Sequence, residues 1–432
     1  MQNIRVRHII LIALCWSGNP NLVLAEGLVA VQSLNSDIKN LIIEVVKQHP
    51  SVIAAENNLR SAQADIETAE WQFYPTPSAS VEKASSKSNL NANSQTTYLR
   101  LQQPLWTGGR LSSQLDHATA AELVSRAYIS ELRQGLAIRV LQAWADAQAA
   151  YLKRIAYRSS EAEHLDYVEM VQHRVAEGLS PKTDVDLSKS RLDAIKSDLE
   201  QAEIQLDLAV SKLEQLCGHS LSKEALFTEF TQLQTATTAY GQNLDITDSI
   251  KSAIKVNPVI RKLKYQLAVQ NAEIGVAKSK YWPDIYARAE HSIGDVTPTQ
   301  DLVYVGLSTN FGAGLSTMAG VNSAESKLDA KLGEIDAEKR NLIDQIRADS
   351  LLIKAGERRI PLLNQSVELA IEVSASYSRQ FEQGRKTWQD LMNAVRERAQ
   401  TQAQLADACS AYWFASNRLS LLSRGLKSYL AL

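Results

Sequence analysis

Arg174-Val175-Ala176-Glu177-Gly178, with Asp184 six residues on, returns 206 residues later as Gln380-Phe381-Glu382-Gln383-Gly384, with Asp390 six residues on. In each copy a glycine sits where one helical pattern stops, and an acidic residue marks where the next begins. Both segments therefore read as turns between an outgoing and a returning helix. Working outward, the outgoing helices cover 110–177 and 316–383, and the return helices 183–217 and 388–423. At 1.5 Å per residue an outgoing arm is about 100 Å long and a return arm about half that. The first return arm carries Val185, Ser188, Leu192, Ile195, Leu199, Ala202, Leu206, Ala209, Leu213 and Leu216 at spacings of three and four. The second keeps the phase with Leu391, Ala394, Leu405, Ala408, Tyr412, Ala415, Leu419 and Leu422, interrupted by Arg398 and Thr401. That is a heptad seam, so the arms are coiled coils.

The repeat extends upstream. His49-Pro50 matches Asn257-Pro258, and Tyr74-Pro75 matches Trp282-Pro283, both at an offset of 208. Each half opens with a helix, over 36–73 and 247–281, stopped by the aromatic-Pro pair. An opening helix laid end to end with a return arm matches one outgoing arm, and the expectation is that each return arm takes the opening helix of the other half. The halves read as 26–218 and 248–424, joined by a Thr- and Gln-rich connector at 219–247 and followed by a tail at 425–432. A duplication of this length means one architecture written twice.

Between opening and outgoing helices each half has two extended stretches. In the second half these are 284–293 and 302–311, with Ile285, Ala287, Ala289 and Ile293, then Val303, Val305, Leu307 and Phe311, on one face. In the first half Ala79 and Val81, then Leu99, Leu101 and Leu105, alternate with polar residues. Such alternation fits a tilted membrane strand, and equally a soluble hairpin with one wet face; taken alone it favours the hairpin.

The N-terminus reads as an export signal over 1–25: Arg5 and Arg7, an apolar run from Ile9 to Trp16, then Val23-Leu24-Ala25 before a cleavage point. The run is too short to span a bilayer, and no later stretch is long enough either. A chain of 432 residues with only 18 Gly and 10 Pro favours long helices over many short strands. A net charge of −2 gives no reason to expect nucleic acid. Cys217 and Cys409 fall out of register in the repeat, too far apart for a disulfide, and read as small core residues. There is no HExxH, P-loop, CxxC or GxSxG, hence no catalytic residue, cofactor or metal site; His164 and His173 lie nine apart and read as solvated. Function is expected to come from shape.

Pro104-Leu105-Trp106-Thr107-Gly108-Gly109-Arg110 and Gly178-Leu179-Ser180-Pro181-Lys182-Thr183-Asp184-Val185, with the duplication and the element order, resemble the TolC family of outer-membrane efflux and secretion ducts. The resemblance covers nearly the whole mature chain. It implies a mainly α fold with a transmembrane β-barrel: duplicated coiled coils form an α-barrel, and four strands per chain complete a shared twelve-stranded barrel in a homotrimer. On that reading Leu99, Leu101, Val303, Val305 and Leu307 face lipid. Gly178, Leu179, Ser180, Gly384 and Arg385 become adaptor-docking turns. Asp184 and Asp390 fall at the family's acidic tip positions, Phe381 and Lys386 where the family's gate link has a Tyr and an Arg, and Asn393 where a second Asp stands. Asp184 and Asp390 also read as helix N-caps, and the two roles are compatible. The implied role is a passive outer-membrane duct with helices in the periplasm, joined to a periplasmic adaptor and an inner-membrane ABC exporter or other pump. Type I protein secretion is the leading cargo reading and small-molecule efflux the alternative. A periplasmic coiled-coil scaffold is the reading from another class.

Overall fold

Proline divides the opening helix of each half in two. In the computed structural model, which describes residues 38–85, 93–222, 226, 246–294, 299–309 and 312–430, helix α1 (38–48) ends at His49 and α2 (Pro50–Trp71) restarts on Pro50. His49 caps the restart, its Nδ1 accepting from the Ser51 N–H at 3.2 Å. The second half repeats this with α5 (Ile246–Val256) and α6 (Pro258–Ser279), where Asn257 Oδ1 accepts from Ile260 N at 3.0 Å. The single opening helices expected over 36–73 and 247–281 are thus each two helices, because proline fits at N1 but cannot continue a preceding helix. The leader at 1–25, most of the connector and Phe311 lie outside the described residues.

The remaining elements are β1 (Thr76–Ser85), β2 (Asn93–Trp106), α3 (Arg110–Ala176), α4 (Lys182–Cys217), β3 (Asp284–Gly294), β4 (Gln300–Ser308), α7 (Ser316–Glu382), α8 (Trp388–Arg424) and α9 (Leu426–Leu430). The outgoing helices α3 and α7 have 67 residues each, about 100 Å of rise. Pro361 lies inside α7 without ending it. Strand β4 is shorter than the stretch expected over 302–311, stopping at Ser308 ahead of the Gly312-Ala313-Gly314 turn.

Pairs α3–α4 and α7–α8 form the two coiled arms, and α3 also packs on α2, α6 and α8. The seam positions from Ser188 to Leu216 are buried, as are Leu391, Ala394 and the positions from Leu405 to Leu422. Helix α8 buries a second face as well: Trp413, Phe414 and Leu421 join Leu141 and Trp144 of α3 in one cluster, and Ser410 Oγ donates to Ala145 O at 2.5 Å. The return arms meet the opening helices of their own half, not of the other. His219 Nε2, just past α4, lies 2.9 Å from Glu44 of α1, and Gly425, at the end of α8, packs on Val256 of α5. The end of α4 is held to α1 by a shared buried cluster, in which Leu213 and Leu216 lie with Ile38 and Ile42. The tail is not loose: Tyr429 and Leu430 of α9 are buried, and Tyr429 Oη donates to Asn417 Oδ1 at 2.8 Å. Cys217 and Cys409 form no disulfide and lie in two different clusters, and burial pushes the Cys217 thiol up to about 11.

The four strands make one antiparallel sheet in the order β1-β2-β3-β4. Leu99 opposes Ala79 and His291, and Leu101 opposes Pro77 and Ala289. Ala289, Ala287 and Ile285 in turn oppose Val303, Val305 and Leu307. Directly opposed residues share a face, so the aliphatic side chains form one apolar surface, and His291, opposite Asp301, lies on that face beside them. A bulge between Pro104 and Trp106 sets Trp106 opposite Ile285 and leaves Leu105 out of register.

Candidate functional site

The ends of the molecule carry its distinctive chemistry: the two helical turns, and about 100 Å away the sheet. At the turns, Gly178 and Gly384 take φ of 76° and 70°, a left-handed conformation that favours glycine. Gly178 N donates to Val175 O at 3.0 Å and Leu179 N to Arg174 O at 2.8 Å; Gly384 N and Arg385 N donate likewise to Phe381 O and Gln380 O, both at 2.9 Å. Both are Schellman closures, which satisfy the last carbonyls of a helix. They leave Leu179 and Arg385 exposed at the extremity.

The expected gate residues do not gather into one constellation. Asp390 is the partner of Thr387 in a capping box: Thr387 N and Oγ1 donate to its Oδ2 at 3.3 and 2.9 Å. Those bonds hold its carboxyl below the usual carboxylate range. Asp184, the repeat counterpart, caps nothing; it accepts from Trp388 Nε1 at 3.3 Å, across from α4 to α8. Asn393 also links the arms, its Oδ1 accepting from Arg191 Nη1 at 2.7 Å, while the same nitrogen donates to Gln389 O at 3.2 Å. Lys386 lies over the Tyr377 ring of the adjoining helix at 4.2 Å, and Phe381 receives Arg174 of α3 at 6.0 Å. Asp184 and Asn393 therefore tie arm to arm through Trp388 and Arg191, Phe381 ties α7 to α3, and Asp390 and Lys386 stay within their own hairpin. Beneath them Val168, Val171, Leu192, Trp388 and Met392 form a small core.

Arg191 and Trp388 were not singled out by the sequence. The available signal was asymmetry: the repeat puts Glu397 at the position of Arg191 and Lys182 at that of Trp388. His164, expected to be solvated, is buried at the junction above this core. Its Nδ1 bonds Ser160 O at 2.8 Å, its buried Nε2 has no partner, and burial lowers its pKa. His173 is exposed, and among the described residues no group of three or more His, Cys, Asp or Glu is placed to hold a metal.

The sheet has two unlike faces. On one, Val303 and Val305 are 83% and 69% exposed, and Leu99, Leu101 and Leu307 are exposed with them. On the other, Arg100 Nε lies 2.6 Å from Glu290 Oε2 and its Nη2 3.7 Å from Glu82, while Arg288 bonds Gln102 and Tyr304. Where sheet meets helices, Trp71, Tyr74, Trp106, Tyr281 and Trp282 are all exposed. The junction is tight: a Cβ on Gly108 would lie 2.6 Å from Trp282 Cβ, and Trp106 meets Trp282 edge-on at 6.0 Å. Arg110 Nη2 then reaches Asp284 Oδ2 at 3.2 Å, joining the halves. No helix among the described residues is long and apolar enough to cross a membrane.

The family profile described as Outer membrane efflux protein matches residues 41–219 and 249–423. The chain is 23% identical over 382 residues to Nodulation protein T of Rhizobium leguminosarum bv. trifolii, covering 84% of this chain and 80% of that protein. It is 22% identical over 400 residues to Outer membrane protein TolC of Vibrio cholerae serotype O1, covering 89% and 88%. Among solved structures, the CmeC outer membrane channel of Campylobacter jejuni superposes with a TM-score of 0.74 at 14% identity, over 98% of this chain and 94% of that one.

Proposed function

The chain belongs to the outer membrane efflux protein family, and on that premise we propose that three copies close into a passive duct through which an export system delivers its cargo across the outer membrane. The observation that carries this reading is the sheet. Strands β1 and β4 are both open edges, and one face exposes Leu99, Leu101, Val303, Val305 and Leu307 as an apolar patch. An open edge is not tolerated in hydrocarbon, whereas a closed ring of strands leaves none. Four strands are too few to close alone; three chains supply twelve, and the apolar face becomes the lipid-facing wall. The exposed aromatics at the junction then lie where a membrane barrel carries its interfacial girdle.

On the same reading the helical arms extend into the periplasm and the turns at Gly178–Ser180 and Gly384–Arg385 face an adaptor and an inner-membrane pump. Asp184 and Asp390 stand near the narrow end, where a ring of carboxylates from three copies favours cations. The cargo reading is type I secretion of a protein. Its test is the culture medium of a deletion strain: loss of one large secreted protein supports it, and unchanged secretion with new sensitivity to small toxic compounds replaces it by efflux. The duct itself is tested by fractionation and cross-linking of the full chain. Cross-linked trimers in the outer-membrane fraction are expected; a monomer in the soluble periplasmic fraction overturns the proposal in favour of a scaffold.

A further inference from the structure

The polar face of the sheet holds two guanidinium groups in different electrostatic states. Arg100 is neutralised by Glu290 at 2.6 Å, with Glu82 at 3.7 Å. Arg288, one register position along on the same face, has no carboxylate within ion-pair distance among the described residues. Neutral groups fix it instead. Its Nε and Nη2 donate to Gln102 Oε1 at 3.2 and 2.6 Å, and its Nη1 donates to Tyr304 Oη at 3.0 Å. Its carbon centre lies 4.9 Å from the Tyr286 ring and 5.7 Å from the Tyr304 ring. Two rings and an amide orient the cation without cancelling its charge.

We propose that Arg288 forms a cationic collar inside the barrel that selects for and binds multiply charged anions, so that the two ends of the duct discriminate in opposite senses. The proposal rests on the duct reading, since only ring closure puts this face toward the pore. Three copies then present three unneutralised guanidiniums at one height, where the apolar wall behind them limits dielectric screening. A planar, forked donor suits phosphate- or carboxylate-bearing anions. The Arg100–Glu290 pair beside it has little net charge to offer.

The test is block of single channels in planar lipid bilayers by inorganic tripolyphosphate added on the barrel side, with reversal potentials measured in a KCl gradient. The wild type and Arg288→Lys are expected to be blocked. Arg288→Gln is expected to lose the block and shift its reversal potential toward cations. Gln102→Glu keeps the hydrogen-bonding framework and cancels the charge in place, so it is expected to lose the block even if Arg288→Gln fails to insert. Removing the matched pair with Arg100→Gln and Glu290→Gln together should leave the block intact. Undiminished block in an inserted Arg288→Gln or Gln102→Glu channel overturns the collar. Failure of the wild type to form any channel overturns the duct reading instead.

Discussion

Helices α3 and α7 are the same element of a duplicated unit and have the same length, yet they occupy different environments. On the shared seam they agree: Leu136 and Leu342, Val140 and Ile346, and Ala147 and Ile353 are equivalent at an offset of 206 and all buried. On the other face they part. Buried Leu141 and Leu152 of α3 correspond to exposed Arg347 and Arg358 of α7, and Ala145, 1% exposed, corresponds to Leu351, 68% exposed. Helix α3 is enclosed by α2, α4, α6 and α8, whereas α7 stands at the margin of the chain. Duplication supplied the pairing seam, and position in the protomer decided what the second face became.

The sharpest way to break this comparison is to exchange one pair. Leu141→Arg puts an unpaired charge in a closed core and should cost about 3–5 kcal/mol, while Arg347→Leu should stay within about 0.5 kcal/mol. Denaturant midpoints of the purified protein check both, and equal effects would mean the two environments are alike after all. Next in size is the sheet, whose apolar face is exposed as α7 is. Val305→Arg should lose about 2–4 kcal/mol of membrane assembly, read as loss of inserted trimer, whereas Tyr304→Arg on the polar face should assemble. Smaller is a contrast between the tips. Thr387→Ala removes the capping box of α8 and should cost about 1 kcal/mol. Helix α4 opens on Pro181 with no side-chain cap, so Pro181→Ala should shift the denaturant midpoint less.

The smallest effect is a histidine-linked dependence on pH in α3 without a counterpart in α7, which has Ala370 where α3 has His164. Burial lowers the pKa of His164, and Arg191 of α4 and Arg396 of α8 act in the same direction against the opposing pull of Glu163 and the bond to Ser160 O. A histidine depressed in the fold binds its proton more readily when unfolded. Stability is therefore complete above the unfolded value of about 6.5 and falls as pH drops through it. His164→Leu should flatten that slope in unfolding measured between pH 7 and pH 5, a window set by the same constant.

How much of this was legible follows from the same contrast. Periodicity gave both arms to within a residue or two, because a seam is a local, repeated signal. It did not reveal the second buried face of α8, where Trp413 and Phe414 look like ordinary aromatics until α3 is seen to cover them. Pro50 and Pro258 start new helices while Pro361 is carried through one, and only tertiary context separates those outcomes. At the tips Asp184 and Asp390 stand at equivalent positions and have different partners. The difference lies in Trp388, which faces Lys182 across the repeat and so is invisible to an argument from symmetry.

The pairing of β2 with β3 has a consequence in time. Arg100 and Glu290 meet although they stand 190 positions apart in the chain, and the centre of the sheet consists of such contacts. Loop-closure entropy delays contacts of that range, while the arms zip from their own turns. The protein is thus expected to acquire its rods early and its sheet last, which on the proposed duct reading postpones the exposure of an adhesive surface until a membrane and sister chains are at hand.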